Sequence, residues 1–282
     1  MHARRSLLFA PANRIQVHAK ALGSGADVVC LDLEDAVPPH LKDEARALAL
    51  PFLGREPGPE RAIRINSPRS LAGLRDLVAI IEARPAGGVI FLPKVSSAQE
   101  VAWVDELLTE AGLELGLAVL IESVVGLEQA AAIMRSSRRI VFAMFGGADL
   151  SAELGVPLED EPLLYARSRV VHAATLAGVD VFDVPSLAFR DLDRVAAEAG
   201  RARNLGFTGK GVLHPSNVAV VNQAFSPSEA EIAQAERAMQ AYRASPNGLA
   251  VLDGKLIERP VIRAMERILR LRDVISSDMN GA

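Results

Sequence analysis

Eight times in the first 225 residues, a short apolar run is followed by a segment with helical spacing. The runs are SLLFAP, VVCLDLEDAV, AIRIN, GVIFLPK, LAVLIES, IVFAMFGG, VDVFDVPS and GKGVLHPS. Runs this rich in Val, Ile, Leu, Phe and Ala suit parallel strands buried on both faces. The segments after them predict helices over about 15–22, 43–53, 70–84, 97–111, 163–177, 191–205 and 217–225, with one more joining the fifth and sixth runs. Val101, Val104, Leu107 and Leu108, for instance, share one face. Alternation of this kind means βα units with right-handed crossovers. Eight in a row is the number that closes a (β/α)8 TIM barrel. An open doubly wound sheet is the competing architecture, and it expects a glycine-rich turn after the first strand. Pro11, Ala12, Asn13 and Arg14 stand there instead.

After Phe225 the rhythm changes. SPSEAEIAQAERAMQAYRAS reads as a helix, capped by Ser226 or Ser228 with Glu229 and Glu231 in its first turn. PNGLAVLDGKLIERP reads as a hairpin or extended arm, and a last helix follows at about 261–275. The tail SSDMNGA reads as frayed. The expected organisation is a barrel over 1–225 and a helix–arm–helix extension over 226–282. That extension suits a lid or subunit contact better than an independent domain.

Composition excludes several classes. A net charge of -4 over 282 residues gives no basic field for nucleic acid, and 4% aromatics leave little to stack on bases. No window of about 20 apolar residues suits a membrane span, and the N-terminal apolar run is too short for a signal peptide. Cys30 is the sole cysteine, so an intrachain disulfide is impossible, and a cytoplasmic location fits.

In a barrel of this kind function collects at the C-terminal strand ends. Glu122 ends the fifth run and Asp149 the sixth, so both face one rim. Two unpaired carboxylates there repel and lose hydration. A divalent cation between them removes both problems, and oxygen ligands in a hydrated site suit magnesium, with manganese as the alternative. Solvated loop acids or salt-bridge partners are the plainer reading. Arg64 lies within an apolar strand and needs anionic company. That company is an internal acid such as Glu34, Asp35 or Asp149, or a substrate carboxylate or enolate oxygen. Lys94 reads as an ion-pair residue and His214 as a structural hydrogen-bonder. Arg4, Arg5, Arg14 and Lys20 are by default solvated, although a position around the first strand–helix turn would suit phosphate.

LLFAPANR, VVCLDLEDAV, RIN, FLPKV, LIES, FGGADL, GFTGKGVLHPSN and DGKLIERP recur in that order. As an ordered set spanning about residues 4–270, they resemble the citrate lyase beta subunit and its malyl-CoA and citramalyl-CoA lyase relatives. These are HpcH/HpaI aldolases of the pyruvate/phosphoenolpyruvate barrel superfamily. The resemblance implies an enzyme, a metal-dependent carbon–carbon lyase of the oxo-acid-lyase type that uses Mg2+. It would cleave a 3-hydroxy-acyl thioester into an acetyl thioester and a 2-oxo acid such as oxaloacetate. It further implies a substrate on CoA or an acyl carrier, and a homo-oligomer, trimer or hexamer, whose arm covers a neighbour's site.

Position by position, the resemblance makes Glu122 and Asp149 metal ligands and Arg64 the substrate and enolate arginine. It makes Phe9, Arg14 and Lys20 contacts of the thioester arm. Asp32, Glu34 and Asp35 become residues that hold metal-bound water. Glu258 stands in GKLIE where the family carries an aspartate proposed as the acid–base group. The extra methylene shifts the carboxylate by about an ångström. Ala12 stands where the family would have glycine. Two rival functions remain: a related metal-dependent 2-oxo acid aldolase or malyl-CoA thioesterase, and a non-catalytic subunit that binds a thioester or acyl carrier.

Overall fold

The structure is a computed structural model that describes residues 3–245 and 248–281. It divides into two compact units, Arg4–Asn222 and the described residues of Met1–Ala3 with Gln223–Ala282.

Eight parallel strands close the first unit into a barrel in sequence order. They are β1 (Ser6–Pro11), β2 (Val28–Asp32), β3 (Glu60–Arg64), β4 (Val89–Leu92), β5 (Gly116–Ile121), β6 (Ile140–Phe145), β7 (Asp180–Asp183) and β8 (Gly209–Val212). β1 pairs with β2 on one side and β8 on the other, with Ser6 opposite Lys210. The period of two sends alternate side chains inward. Leu7, Val28, Cys30, Ala62, Phe91, Ala118, Leu120, Phe142, Met144 and Phe182 fill the interior as one buried cluster. Phe91, Phe142 and Phe182 meet edge to face, with centroids 5.5 and 5.2 Å apart. The barrel is therefore packed below its rim, and open space is left at the C-terminal strand ends.

The flanking helices are α1 (Ile15–Leu22), α2 (Lys42–Ala49), α3 (Leu71–Ala83), α4 (Ala98–Glu110), α5 (Val124–Met134), α6 (Gly147–Leu154), α7 (Asp160–Ala177), α8 (Leu192–Leu205) and α9 (Val218–Phe225). Ser70, Ser97, Ser123 and Asp191 start α3, α4, α5 and α8, each side chain accepting a backbone N–H three residues on. Such a cap contributes about 1 kcal/mol and fixes where the loop ends. α6 is absent from the sequence expectation. The sequence places Asp149 at the end of the sixth run, because GGAD punctuates an apolar run as a strand end does.

Arg4 and Arg5 do not form a phosphate site at the first strand–helix turn. They precede β1 and lie at the opposite, N-terminal rim. Arg4 bonds Glu60 at 2.7 Å and Asp180 at 2.9 Å, and Arg5 forks onto Asp27 at 2.8 Å. Asp183, the last residue of β7, faces the surrounding helices rather than the barrel interior. It pairs with Arg167 of α7 at 2.9 Å and with buried Lys210 of β8 at 3.1 Å.

The second unit comprises α10 (Glu229–Ala244), a hairpin of β9 (Ala250–Leu252) and β10 (Lys255–Ile257), and α11 (Arg259–Gly281). Ser228 and Glu231 form a reciprocal capping box on α10. Asp253 and Gly254 turn the hairpin with φ of 50° and 73°, the positive pair a two-residue turn requires. Ala238, Ile257 and Ile262 form its buried core. α11 runs through Gly281, so the tail expected to fray is helical. Pro246 and Asn247, at the start of the expected arm, lie outside the described residues. Among the described residues no helix is long and apolar enough to cross a membrane.

Candidate active site

A cavity of about 440 Å³ opens at the C-terminal ends of the barrel strands. Phe9, Asp32, Asp35, Arg64, Glu122 and Asp149 line part of it, and Leu120, Met144, Val184, Pro185, Leu187 and Leu213 line the rest.

Glu122 is the first residue after β5 and is buried, at 4% exposure. Asp149 is not at a strand end. It occupies the third position of α6, in the helix's first turn, where a carboxylate is favoured by the dipole. The two carboxyl groups are close enough to share a hydrogen bond. Burial, that bond, and the charges of Glu34 and Asp149 push the Glu122 carboxyl up to about 9. A backbone N–H from Lys94 at 2.6 Å pulls the other way. Gly146 makes the approach possible: a Cβ there would fall 2.2 Å from Glu122 Cβ. Lys94 delivers its N–H from a left-handed backbone with φ 55°. Its ammonium lies 3.0 Å from Glu34 Oε1.

Arg64, the last residue of β3, forks onto Asp32 at the end of β2. Nε donates to Oδ1 at 2.8 Å and Nη2 to Oδ2 at 2.7 Å. The Phe9 ring underlies the guanidinium, 5.2 Å from its centroid. Burial pulls the Arg64 pKa down, and the Asp32 and Glu34 interactions more than reverse this, so the group is held charged. Asp32 also accepts the N–H groups of Glu34 and Ala36, at 2.8 and 3.0 Å. With four donors on two oxygens it has no capacity left to hold metal-bound water. Its place in the site is as the clamp of Arg64.

Glu34 differs. Its Oε1 meets Lys94, while its Oε2 is buried, 3.1 Å from Arg64 Nη1, and in no hydrogen bond. Burial raises the Glu34 carboxyl, with Arg64 opposing and Asp35 assisting. Asp35 is exposed, 3.8 Å from Arg64 Nη1. Lys42 ties down the loop, donating to the carbonyls of Leu33 and Glu34 at 2.7 and 2.6 Å.

Sequence reasoning missed the support behind Arg64. Asp76 of α3 is fully buried and accepts from Arg46 Nε at 2.7 Å, and from Asn66 N and Nδ2 at 2.8 and 2.7 Å. It fixes the chain directly after β3. The signal was an acid on the buried stripe Gly73, Asp76, Leu77 and Ile80.

Within the barrel unit, Arg14, Lys20 and His214 do not enter this cavity's lining. Arg14 and Lys20 are exposed, before and on α1. Glu258 is exposed in the second unit, its carbonyl accepting from Ile262 N at 3.0 Å. His214 is exposed and structural: its Nδ1 meets Ser216 Oγ at 2.7 Å and its ring stacks on Phe189.

The acidic pair fits a hard divalent cation. One carboxyl is buried and holds its proton for want of a counter-charge, and a buried carboxylate oxygen in no hydrogen bond, Glu34 Oε2, lies nearby beside Arg64. Among the described residues no group of three or more such side chains gathers to hold a metal. Two carboxylates plus water and substrate oxygens are the set a hydrated magnesium accepts.

Residues 5–215 match the family model described as HpcH/HpaI aldolase/citrate lyase. The chain is 30% identical to the citrate lyase subunit beta of Leuconostoc mesenteroides subsp. cremoris, over 95% of this chain and 93% of the relative. It is 32% identical to the L-malyl-CoA/beta-methylmalyl-CoA lyase of Cereibacter sphaeroides, over 97% and 96%. Among solved structures, CitE from Mycobacterium tuberculosis, in complex with magnesium, acetoacetate and coenzyme A, superposes with a TM-score of 0.79. It is 30% identical, with 95% of this chain and 97% of that one covered. A closed eight-stranded barrel, a paired Glu122 and Asp149, and likeness at this level along almost the whole chain make it a member of the HpcH/HpaI aldolase/citrate lyase family of lyases.

Proposed function

We propose that this chain is a magnesium-dependent carbon–carbon lyase acting on a 3-hydroxy-acyl thioester of the malyl, citramalyl or citryl type. The products are an acetyl thioester and a 2-oxo acid, and the reverse reaction is a Claisen-type addition. The observation that carries the reading is the approach of Glu122 to Asp149 in the cavity that Arg64 also lines. The names of the relatives, a citrate lyase subunit and a malyl-CoA lyase, support it.

Glu122 and Asp149 would hold the metal, which when bound lowers the pKa of the substrate hydroxyl and polarises the forming carbonyl. Asp32 keeps the Arg64 fork in one orientation. Of the five guanidinium N–H groups, two go to Asp32 and Nη1 lies beside Glu34, and those left would be shared by the substrate carboxylate and the oxygen that gains charge as the bond breaks. A base removes the hydroxyl proton, and the electrons of the broken carbon–carbon bond go to the thioester's α-carbon. A proton delivered to that carbon completes cleavage. We assign the base to Glu258 from a second copy of the chain, with residues 226–282 serving as the subunit contact. Phe9 would flank the acyl group, and Arg14 and Lys20 would meet the phosphates of CoA or of an acyl carrier.

The test is turnover of malyl-, citramalyl- and citryl-CoA with magnesium, read by mass spectrometry of both products. Arg64→Ala should abolish cleavage and leave the circular dichroism unchanged. A folded Arg64→Ala protein that turns over like wild type would refute the assignment. CoA released without a 2-oxo acid would favour the thioesterase. Thioester binding without any product would favour a non-catalytic subunit.

A further inference from the structure

The three candidate acyl groups differ in one place. The carbinol carbon carries hydrogen in malyl, methyl in citramalyl and carboxymethyl in citryl thioesters. The last adds a second free carboxylate, and charge decides whether the cavity can take it.

Among the described residues lining the cavity, Arg64 is the single base, against the acids Asp32, Asp35, Glu122 and Asp149. Arg64 is already committed to Asp32 and lies 3.1 Å from Glu34. Lys94, just outside, faces Glu34 at 3.0 Å and Asp35 at 3.9 Å. A divalent cation between Glu122 and Asp149 brings two positive charges to two negative ones. Each positive charge thus has its carboxylate before a substrate arrives. One substrate carboxylate can share the metal and the spare N–H groups of Arg64. A second would find no unpaired cation among the described residues that line the cavity.

Polarity is also segregated around the rim. The charged groups sit at the ends of β2 to β5 and at the start of α6. The arc from β7 round to β8 offers Val184, Pro185, Leu187 and Leu213, with Met144 of β6 inward of them. A wall of this kind suits hydrogen or a short alkyl group and offers a carboxylate neither a cation nor a side-chain hydrogen-bond donor.

We propose, resting on the lyase reading above, that the substrate's acyl group carries one free carboxylate and that the substituent on its carbinol carbon is hydrogen or small alkyl. The 2-oxo acid product is then glyoxylate, pyruvate or a short homologue, with no second carboxylate. The apolar wall of Val184, Leu187 and Leu213 sets this choice.

The experiment compares kcat/KM for malyl-, citramalyl- and citryl-CoA with magnesium. Calorimetric titration of pyruvate and oxaloacetate into the magnesium-loaded protein runs beside it. Citryl-CoA should be poorer than the best of the other two by about 100-fold, and oxaloacetate should bind at least about tenfold more weakly than pyruvate. Leu213→Lys adds a cation to the wall and should raise citryl-CoA cleavage about tenfold while lowering citramalyl-CoA cleavage. Leu187→Lys, at a position 66% exposed, repeats the test should the first variant misfold. Citryl-CoA turnover equal to the others, tighter oxaloacetate binding, or no citryl gain from a folded lysine variant would each overturn this inference and leave the lyase reading standing. Failure of all three thioesters to cleave would overturn both.

Discussion

Asp32→Asn is a sharp test of how the arginine is held. Asp32 is buried and accepts four N–H groups: two from Arg64, at 2.8 and 2.7 Å, and the backbone groups of Glu34 and Ala36. Asparagine keeps the shape, loses the charge and turns one acceptor into a donor. That donor must face N–H groups whichever way the amide is flipped. Two charge-assisted bonds, each contributing about 1.5–3 kcal/mol, are lost or weakened. Glu34 Oε2, 3.1 Å from Nη1, retains part of the attraction. The net loss should be about 3 kcal/mol, at the low end for breaking a buried pair. For a chain of this size that is a fall of about 6–12 °C in Tm. The assay is urea unfolding of a double-mutant cycle with Arg64→Gln. The coupling should be about 2 kcal/mol or more. Cleavage by the Asp32→Asn variant should fall at least about 100-fold, because the fork is no longer aimed. A coupling below about 0.5 kcal/mol would refute the clamp.

Two further outcomes follow from the same rim. In metal-free protein the Glu122 carboxyl is raised from its ordinary 4.5 to about 9, so the proton stays on through neutral pH. A raised folded-state pKa contributes stability that is complete below 4.5 and is lost as pH climbs through about 9. Metal-free protein should therefore lose Tm across that window, and the gain from added magnesium should grow. Titration at pH 7.5 in buffers of different ionisation enthalpy should show release of close to one proton, and none in Glu122→Gln. Heats independent of buffer in the wild type would contradict the assignment. Lys94→Gly and Lys94→Ala both remove the ammonium, but only glycine relaxes the left-handed backbone at φ 55°. The glycine variant should be the more stable by about 1 kcal/mol in urea unfolding, and the reverse order would show that the backbone there is unstrained.

The barrel was legible because burial on both faces leaves an unmixed apolar run, and eight such runs admit few topologies. Glu122 was legible for the same reason, as a carboxylate ending one of those runs. Asp149 was found as a residue but misplaced on a strand, since the two glycines before it look alike at a strand end and at a helix start. Only the structure shows that Gly146 is required by the Cβ of Glu122. Arg64 was correctly seen to need an anion, with Glu34, Asp35 and Asp149 named. The partner that holds it by two hydrogen bonds is Asp32, because parallel register sets residue 64 beside residue 32. Register of this kind is a tertiary property that one strand's sequence does not carry. Arg4 and Arg5 separate from Arg14 and Lys20 for a similar reason: nearness in sequence ignores that a strand separates two ends of a barrel.

The pairing of β1 with β8 has a consequence during synthesis. The edge of β1 that will bond residues 210–212 leaves the ribosome some two hundred residues before its partner. At ordinary elongation rates that edge waits roughly 10–40 s. Until then the nascent sheet has two open margins able to recruit foreign strands. Truncation before Gly209 should yield a protein that depends on chaperones and aggregates, whereas cuts in the exposed loops between finished strands should be better tolerated.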